Sequence, residues 1–457
     1  MATETRPRPP SVERILALVR DGSEVPVDAE VLTVTAREVV DEERARLASG
    51  DVPSPLAVLA DQVRARLDET VTLRSLRAIN ATGVIIHTNL GRAPWAAEAI
   101  AAARDAAAGV LLEIDPETGR RGRRLRIAEE HLVALTGADD ALVTNNNAAA
   151  LALAVALAGR GRAVAVSRGE LVEIGGGVRI PEIVRRAGAK LVEVGTTNRT
   201  RAADFEAVLA DGTARVVLRV HPSNFHQAGF VETPDVAEVI AAAHEHGAIV
   251  IDDLGSGALL PTERFGLAHE PTPRERIAAG ADVVTFSGDK LVGGPQAGLI
   301  VGRAGLIARM RREPLARATR PDKVTLAAVA ATLGLYRGGL AAERVPVWRM
   351  IAAPVDGLRA RAGRIADAVG DAASVAEVEA TIGGGSLPGE TLPSVAVAIA
   401  GERGRSPDRL LAALRQATPA VIGRIEGGRA LFDVRTVDPV DDEALVAALR
   451  SVIAGGA

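Results

Sequence analysis

The sequence predicts an α/β fold organised around a mainly parallel β-sheet that carries helices on both faces. From about residue 141 to residue 302, short runs of β-branched residues alternate with alanine-rich windows of helical character. Apolar runs that are each separated by a helix are typical of parallel strands buried on both sides. In addition, polar and glycine-rich clusters follow nearly every predicted strand, which is where ligands bind in such sheets.

The elements of this core follow from the alternation of apolar runs and helical windows. The predicted strands are residues 141–144, 163–167, 190–194, 215–220, 248–252, 282–286 and 298–301. The predicted helices between them are residues 147–157, 181–187, 202–209, 234–246 and 273–279. The polar clusters that follow strands are residues 145–147, 168–177, 196–199, 221–224, 253–257 and 287–290. These clusters are therefore expected to meet at one edge of the sheet.

The segments outside the core predict two further domains. Residues 12–60 are charged and helical without β alternation, and prolines at positions 53 and 55 mark a linker. After the core, two helical windows precede a C-terminal third that alternates strands and helices, and residues 383–388 predict a mobile glycine-rich loop. We expect a helical N-terminal domain at 1–65, a large domain at 66–335 and a small α+β domain at 336–457.

Composition excludes several kinds of site. The chain has 457 residues and no cysteine, so disulfides, thiolate metal sites and cysteine nucleophiles are absent. The formal net charge of -4 gives no global signal for a polyanionic partner. The first ten residues are polar and proline-rich, unlike a signal peptide, and no apolar run approaches the roughly 20 residues of a membrane span. A cytoplasmic location is expected.

Lys290 is the first candidate for chemistry, because it follows Ser287 by three positions at the end of a predicted strand and enters a glycine-rich turn. A lysine that forms a Schiff base must lose its proton near neutral pH, so it requires burial and neighbours that depress its pKa. A lysine that merely ends a strand is the alternative interpretation of the isolated motif.

Two other strand ends supply partners for such a lysine. Asn146, Asn147 and Ala148 lie between a strand and a helix, where backbone N–H groups favour a phosphate, although a helix cap needs only one asparagine. Asp253, in preference to Asp252, ends a buried strand and is suited to hold a pyridinium nitrogen protonated. A magnesium site at this Asp-Asp pair is the alternative, without a further ligand cluster to support it.

A phosphate cup, a strand-end aspartate and a later Ser-Gly-Asp-Lys motif occur here in the order expected of a fold-type I, aspartate aminotransferase-like enzyme that uses pyridoxal phosphate. In this interpretation Lys290 carries the cofactor, Ser287 helps to bind its phosphate, and Asp253 pairs with the ring nitrogen. No metal is expected.

Several long motifs closely resemble bacterial selenocysteine synthase, the L-seryl-tRNA(Sec) selenium transferase family. They are residues 79–94, 143–148, 167–176, 193–200 and 286–298, and the likeness extends to residues 10–16 near the N-terminus. One stretch differs: the family usually has a Gly-Ser-Arg-Tyr-like sequence where this chain has Gly122-Arg-Arg-Leu125. The difference concerns Arg123 and Arg124 and leaves the cofactor motifs intact.

The resemblance implies both residue roles and partners. It implies that Lys290 binds pyridoxal phosphate with Asp289 beside it, and that an anion pocket for selenophosphate is formed by Arg92, Arg317, Arg320, Thr196 and Thr197. It also implies a homodecamer built from dimers, with an N-terminal domain that grips the selenocysteine tRNA. Arginine suits such a pocket because its planar guanidinium binds phosphate groups in bidentate fashion.

The reaction implied is β-replacement on a tRNA-borne serine, in which selenium from selenophosphate replaces the β-hydroxyl. The first alternative is a pyridoxal-phosphate lyase that acts on a free amino acid or a phosphorylated amino sugar, which has no need of the N-terminal domain. The second is a tRNA-binding or scaffold protein without catalysis, against which the intact Lys290, Asp253 and arginine set argue.

Overall fold

The computed structural model describes residues 8–21, 28–71, 77–401 and 406–455. Its helices are α1 Val12–Arg20, α2 Ala29–Ala48, α3 Leu56–Val71, α4 Ala97–Ala107, α5 Ile127–Thr136, α6 Asn147–Val155, α7 Ile180–Arg186, α8 Ala202–Ala210, α9 Val236–Glu245, α10 Pro273–Ala278, α11 Ala304–Arg312, α12 Pro314–Ala318, α13 Lys323–Arg337, α14 Ala341–Arg344, α15 Pro346–Ala352, α16 Val355–Val369, α17 Pro407–Leu414 and α18 Asp442–Ala454. Its strands are β1 Ala78–Asn80, β2 Val84–Ile86, β3 Asp140–Thr144, β4 Ala163–Ser167, β5 Glu173–Ile174, β6 Val178–Arg179, β7 Lys190–Val194, β8 Ala214–Val220, β9 Ile249–Gly255, β10 Val283–Ser287, β11 Gly298–Gly302, β12 Ala373–Gly383, β13 Thr391–Ala400, β14 Ala420–Ile422, β15 Arg424–Glu426 and β16 Arg429–Asp433.

The chain divides into two contact units. The first comprises the residues up to Arg77 together with Thr418–Ala420, and the second comprises the rest. In the first unit, α1, α2 and α3 pack around a small apolar core that includes Ile15, Val39 and Val63. Among the described residues, none of the helices combines the length and the apolar character that crossing a bilayer requires.

The largest sheet of the second unit has seven strands in the order β3-β11-β10-β9-β8-β4-β7. Strands β10, β9, β8, β4 and β7 are mutually parallel, whereas β11 runs antiparallel to both β10 and β3. One buried apolar cluster covers each face, with Val217 and Phe286 on one side and Leu218 and Ile300 on the other. The predicted mainly parallel α/β core is therefore confirmed, and its carboxyl-terminal edge gathers the loops that follow β4, β7, β8, β9 and β10.

A second sheet of the same unit has the order β15-β16-β13-β12-β2. Its strands β12 and β13 form a long antiparallel pair, and β2 joins β12 in parallel, with Gly383 opposite Ile86. This sheet therefore combines the C-terminal third of the chain with a strand that precedes the large sheet. The two units do not coincide with the three predicted domains, whose boundaries at residues 65 and 335 stay predictions.

Candidate active site

Lys290 lies in the turn that follows β10, at the carboxyl-terminal edge of the large sheet. Its Nζ donates to the carbonyl oxygen of Gly385 at 3.4 Å. Burial lowers the pKa of Lys290 because the ammonium form loses its hydration, and the nearby guanidinium of Arg92 lowers it further. The amine is thus poised to be neutral more readily than an ordinary lysine, as covalent attachment of a carbonyl compound requires.

Two glycines lie beside this amine, and the second of them makes room for it. Gly255 has φ +67°, and a Cβ added to it would lie 3.7 Å from Lys290 Nζ and 3.1 Å from Ser223 Oγ. Gly385 has φ +79°, and a Cβ there would lie 2.6 Å from Nζ. Any other residue at position 385 would therefore collide with the lysine in addition to adopting a left-handed backbone.

Asp253 lies near the end of β9 and is only 6% exposed. Its Oδ1 accepts hydrogen bonds from Asn147 Nδ2 and from Thr285 Oγ1, each at 2.8 Å. Thr285 is its direct partner across the β9–β10 ladder, so the register of the sheet sets this contact. Burial raises the pKa of Asp253, because its two hydrogen-bond donors are neutral and offset the lost hydration only in part.

Asp252 points to a different environment, in which its Oδ2 lies 3.4 Å from Arg276 Nε. The structure thus places Asp253, rather than its neighbour, beside Asn147 and Lys290. Among the described residues no group of three or more metal-ligating side chains occurs, so the magnesium alternative gains no support.

The turn of residues 145–148 leads from β3 into α6. Asn146 caps the helix because its Oδ1 accepts a hydrogen bond from Ala149 N at 2.9 Å. The side-chain Nδ2 of Asn147 donates a hydrogen bond to Asp253 Oδ1. Of the three adjacent side-chain amides, at positions 145, 146 and 147, the last two therefore have partners within the chain. The Oδ1 of Asn147 is buried without a partner in the described residues, and the first turn of α6 presents its backbone N–H groups at this edge, as a phosphate site requires.

Arg92 and Asp289 form an ion pair with 2.9 Å between Nη1 and Oδ2. Asp289 is buried, whereas the Arg92 side chain is 32% exposed. The backbone reinforces the contact, because Ala93 N donates to Asp289 O at 3.2 Å. Arg92 has φ +67°, a conformation that costs energy for a residue with a side chain and is typical of functional segments. The segment after β2 is thus fastened to the residue before Lys290.

The remaining predicted anion-pocket residues lie elsewhere on the same edge. Arg317 and Arg320 are exposed and flank Thr319, whose carbonyl accepts from Asn145 N at 2.8 Å, so they stand near the start of α6. Thr196 Oγ1 donates to Arg199 O at 3.0 Å. In the described parts of one chain, no hydrogen bond or ion pair joins these two threonines to the three arginines.

Thr197 lines a cavity of about 570 Å³ beside the site. The same cavity is lined by His221, Glu270 and Glu170. His221 Nε2 lies 3.3 Å from Glu270 Oε1, and Glu170 accepts from Arg219 Nε at 2.8 Å. Sequence reasoning did not single out Glu170, Arg219, His221 and Glu270, although the first three stand in or next to the predicted strand-end clusters.

Two further residues, Arg123 and His87, have contrasting environments. Arg123 lies 3.2 Å from Asp140 Oδ1 and 3.8 Å from Glu129 Oε2, in a cluster that also contains Arg311. Burial raises the pKa of Glu129 to about 7. Arg123 therefore ties the loop before α5 to the sheet. His87 has a buried Nδ1 that finds no partner among the described residues.

A sequence model of the L-seryl-tRNA selenium transferase family matches residues 78–438. Three curated relatives are named L-seryl-tRNA(Sec) selenium transferase. The protein of Carboxydothermus hydrogenoformans is 44% identical over 89% of this chain and 89% of its own. That of Rhizobium meliloti is 45% identical over 91% and 90%, and that of Hyphomonas neptunium is 47% identical over 82% of each chain.

Among solved structures, D-glucosaminate-6-phosphate ammonia-lyase is similar with a TM-score of 0.60. The match covers 85% of this chain and 98% of that one at 22% sequence identity. At that identity the likeness concerns the fold alone, and it confirms the predicted fold-type I class.

Proposed function

The chain belongs to the L-seryl-tRNA selenium transferase family, and from this membership we propose that it converts the serine of seryl-tRNA(Sec) to selenocysteine with selenophosphate as the selenium donor. The observation that carries the proposal is the enclosed amine of Lys290 beside Asp253, on a chain that matches the family over residues 78–438. The proposed compartment is the cytoplasm.

The residues at the sheet edge fit pyridoxal phosphate. Lys290 has the lowered pKa and the space beside Gly385 that covalent attachment needs. In the described part of the chain the buried Asp253 accepts hydrogen bonds only from neutral groups, so it could also accept one from a ring N–H. Ser287 and the start of α6 at Asn146, Asn147 and Ala148 would hold the phosphate group. When bound, the cofactor supplies an electron sink for negative charge that develops at the serine Cα.

The chain's own residues then perform the proton transfers. Lys290 Nζ is the base for the Cα proton, because a lysine of lowered pKa is a competent base near neutral pH. Asp289 is held by Arg92 at 2.9 Å, which fixes its carboxylate next to this amine. Enclosure of the amine by Gly255 and Gly385 limits the access of water.

Arg92, Arg317, Arg320, Thr196 and Thr197 are the proposed selenophosphate residues. In one chain they occupy separate positions along the sheet edge, and Arg317 and Arg320 are exposed. This separation favours a site completed between subunits, in line with the proposed homodecamer built from dimers. The N-terminal unit of three helices is the proposed contact for the tRNA.

A direct competition tests the proposed function against the lyase alternative. The purified protein, loaded with cofactor, is offered seryl-tRNA(Sec) and free serine side by side with selenophosphate. We expect selenium to appear on the tRNA-linked amino acid. Conversion of free serine while the tRNA ester is ignored would favour a lyase, and a protein that binds no pyridoxal phosphate would overturn both.

A further inference from the structure

The loop of residues 383–390 extends from the small sheet over Lys290 and is fastened at both ends. At its start, Gly383 pairs with Ile86 across the β12–β2 ladder, and Gly384 N donates to Ile86 O at 3.0 Å. At its end, Glu390 Oε2 accepts from Ala268 N at 3.0 Å. Between these anchors the Gly385 carbonyl meets the lysine amine. The loop is therefore a wall of the active site.

Ser386 follows the residue that touches the lysine, and it is 2% exposed. Its Oγ is buried and has no hydrogen-bond partner among the described residues. The next residue, Leu387, is also buried and has φ +49°, which is uncommon for a residue with a side chain. A buried hydroxyl without a partner is costly, and a strained backbone beside it is typical of segments that serve a ligand.

The charges around the lysine indicate which chemical group of a ligand this hydroxyl would bind. The groups that act most strongly on Lys290 are one cation, Arg92, and three acids, Asp253, Asp289 and Glu270. Arg92 is already paired with Asp289. Residues 383–389 read Gly-Gly-Gly-Ser-Leu-Pro-Gly and carry no charge. A substrate carboxylate beside Lys290 would add to these three acids and would face a loop without a cation, whereas a neutral carbonyl requires only a hydroxyl donor.

We propose that the Ser386 hydroxyl donates to the ester carbonyl of the aminoacyl group, so that this loop selects serine linked as an ester over free serine. The inference rests on the proposed function, in which the serine amine would take the place of the Lys290 amine on the bound cofactor, and the carbonyl carbon is bonded to the adjacent Cα. Gly385 and Ser386 are consecutive, with Cα atoms roughly 3.8 Å apart, so the unpartnered hydroxyl belongs to the residue directly after the one that touches the amine.

Small-molecule binding tests this selection without turnover. The holoenzyme is titrated with L-serine and with L-serinamide, a stable analogue whose carbonyl is neutral, and the change in cofactor absorbance gives each Kd. We expect wild type to bind serinamide more tightly than serine. Ser386→Ala should weaken serinamide binding about five-fold, the effect of one neutral hydrogen bond, and leave the Kd for serine and the cofactor content unchanged.

The matched control is Ser374→Ala in the same small sheet, where Oγ donates to Ala398 O at 3.4 Å, and this variant should bind both ligands as wild type does. Equal affinity of wild type for serine and serinamide would overturn the inference, as would unchanged serinamide binding in Ser386→Ala. Either result leaves the proposed function standing if seryl-tRNA(Sec) is still converted. A wild type that holds cofactor but binds neither ligand would overturn the inference, and the proposed function would fall only if seryl-tRNA(Sec) is also left unconverted.

Discussion

Two buried carboxylates, one in each unit of the molecule, have different hydrogen-bond partners and pKa values that are shifted in opposite directions. Glu43 in α2 is 4% exposed and is neutralised by its own surroundings: Arg46 donates to it at 2.9 and 3.0 Å, and Ser54 N at 2.7 Å. These hydrogen bonds, with Arg46 first, lower the pKa of Glu43 to about 2.

Asp253 is equally buried but receives only neutral donors, and burial raises its pKa. The carboxylate of Glu43 finds its cationic partner, Arg46, within the fold, so its role is to stabilise the structure. Among the described residues no cation donates a hydrogen bond to Asp253, so its carboxylate is suited to a ligand that brings one. The nature of the partners, rather than the degree of burial, separates a structural acid from a functional one.

The largest effect on activity is expected from a change at Lys290, the proposed point of cofactor attachment. Lys290→Ala removes the amine that attaches the cofactor and the proposed base for Cα, so transfer of selenium should fall by about 10³-fold or more. The absorbance of lysine-linked cofactor should vanish from the purified variant. Glu43→Gln is the control and should retain this absorbance, and a Lys290→Ala variant that keeps both absorbance and activity would contradict the assigned role.

Asp253→Asn tests the other half of the comparison. Loss of the charge opposite the proposed ring nitrogen should lower the rate of transfer by about 10²-fold, the effect of removing one electrostatic contact in a buried site. Because burial raises the pKa of Asp253, its ionised form destabilises the cofactor-free fold, and this cost grows as the pH rises above the ordinary aspartate pKa.

The cofactor-free Asp253→Asn protein is therefore expected to melt at the same temperature as wild type or higher at neutral pH. Differential scanning calorimetry of both proteins without cofactor measures this. A large loss of stability in the variant would assign Asp253 a structural role like that of Glu43.

The smallest effect on catalysis is expected at Glu43. Glu43→Gln should lower the free energy of unfolding by about 1 kcal/mol, because Ser54 N and Arg46 lose their charged acceptor, while activity per folded molecule stays unchanged. The pKa of Glu43 is lowered from 4.5 to about 2, so its contribution is present above pH 4.5 and is lost as the pH falls toward 2.

Chemical denaturation of wild type and Glu43→Gln at neutral pH and at the lowest pH where both remain folded measures this dependence. The difference in stability should shrink on acidification. A difference that grows with acid would contradict the structural role of this carboxylate.

Much of the sheet was predictable because each of its strands is a local apolar run that ends at a polar cluster. The strands of the large sheet fall within about three residues of their predicted bounds, and the parallel arrangement brings Asn147, Asp253 and Lys290 together, as the shared strand ends imply. Antiparallel pairing of β11 is compatible with the same apolar pattern, so the sequence alone left its direction undefined.

The rest depended on contacts between distant positions. Residues 383–388 show only a glycine-rich composition in the sequence, which predicts a loop but not that Gly385 meets a lysine. That contact arises from the pairing of β12 with β2, and such long-range register has no local signal. Likewise, the capping role of Asn146 and the ion pairs of Arg123 are set by neighbours in space that the motifs do not reveal.

The meeting of Lys290 with Gly385 joins positions that are 95 residues apart. On the ribosome the lysine is therefore synthesised 95 residues before the glycine whose carbonyl oxygen it contacts. The wall over Lys290 is complete only after the chain has passed β12 and this strand has paired with β2. Closure of the active site is thus one of the last steps in the formation of this part of the fold.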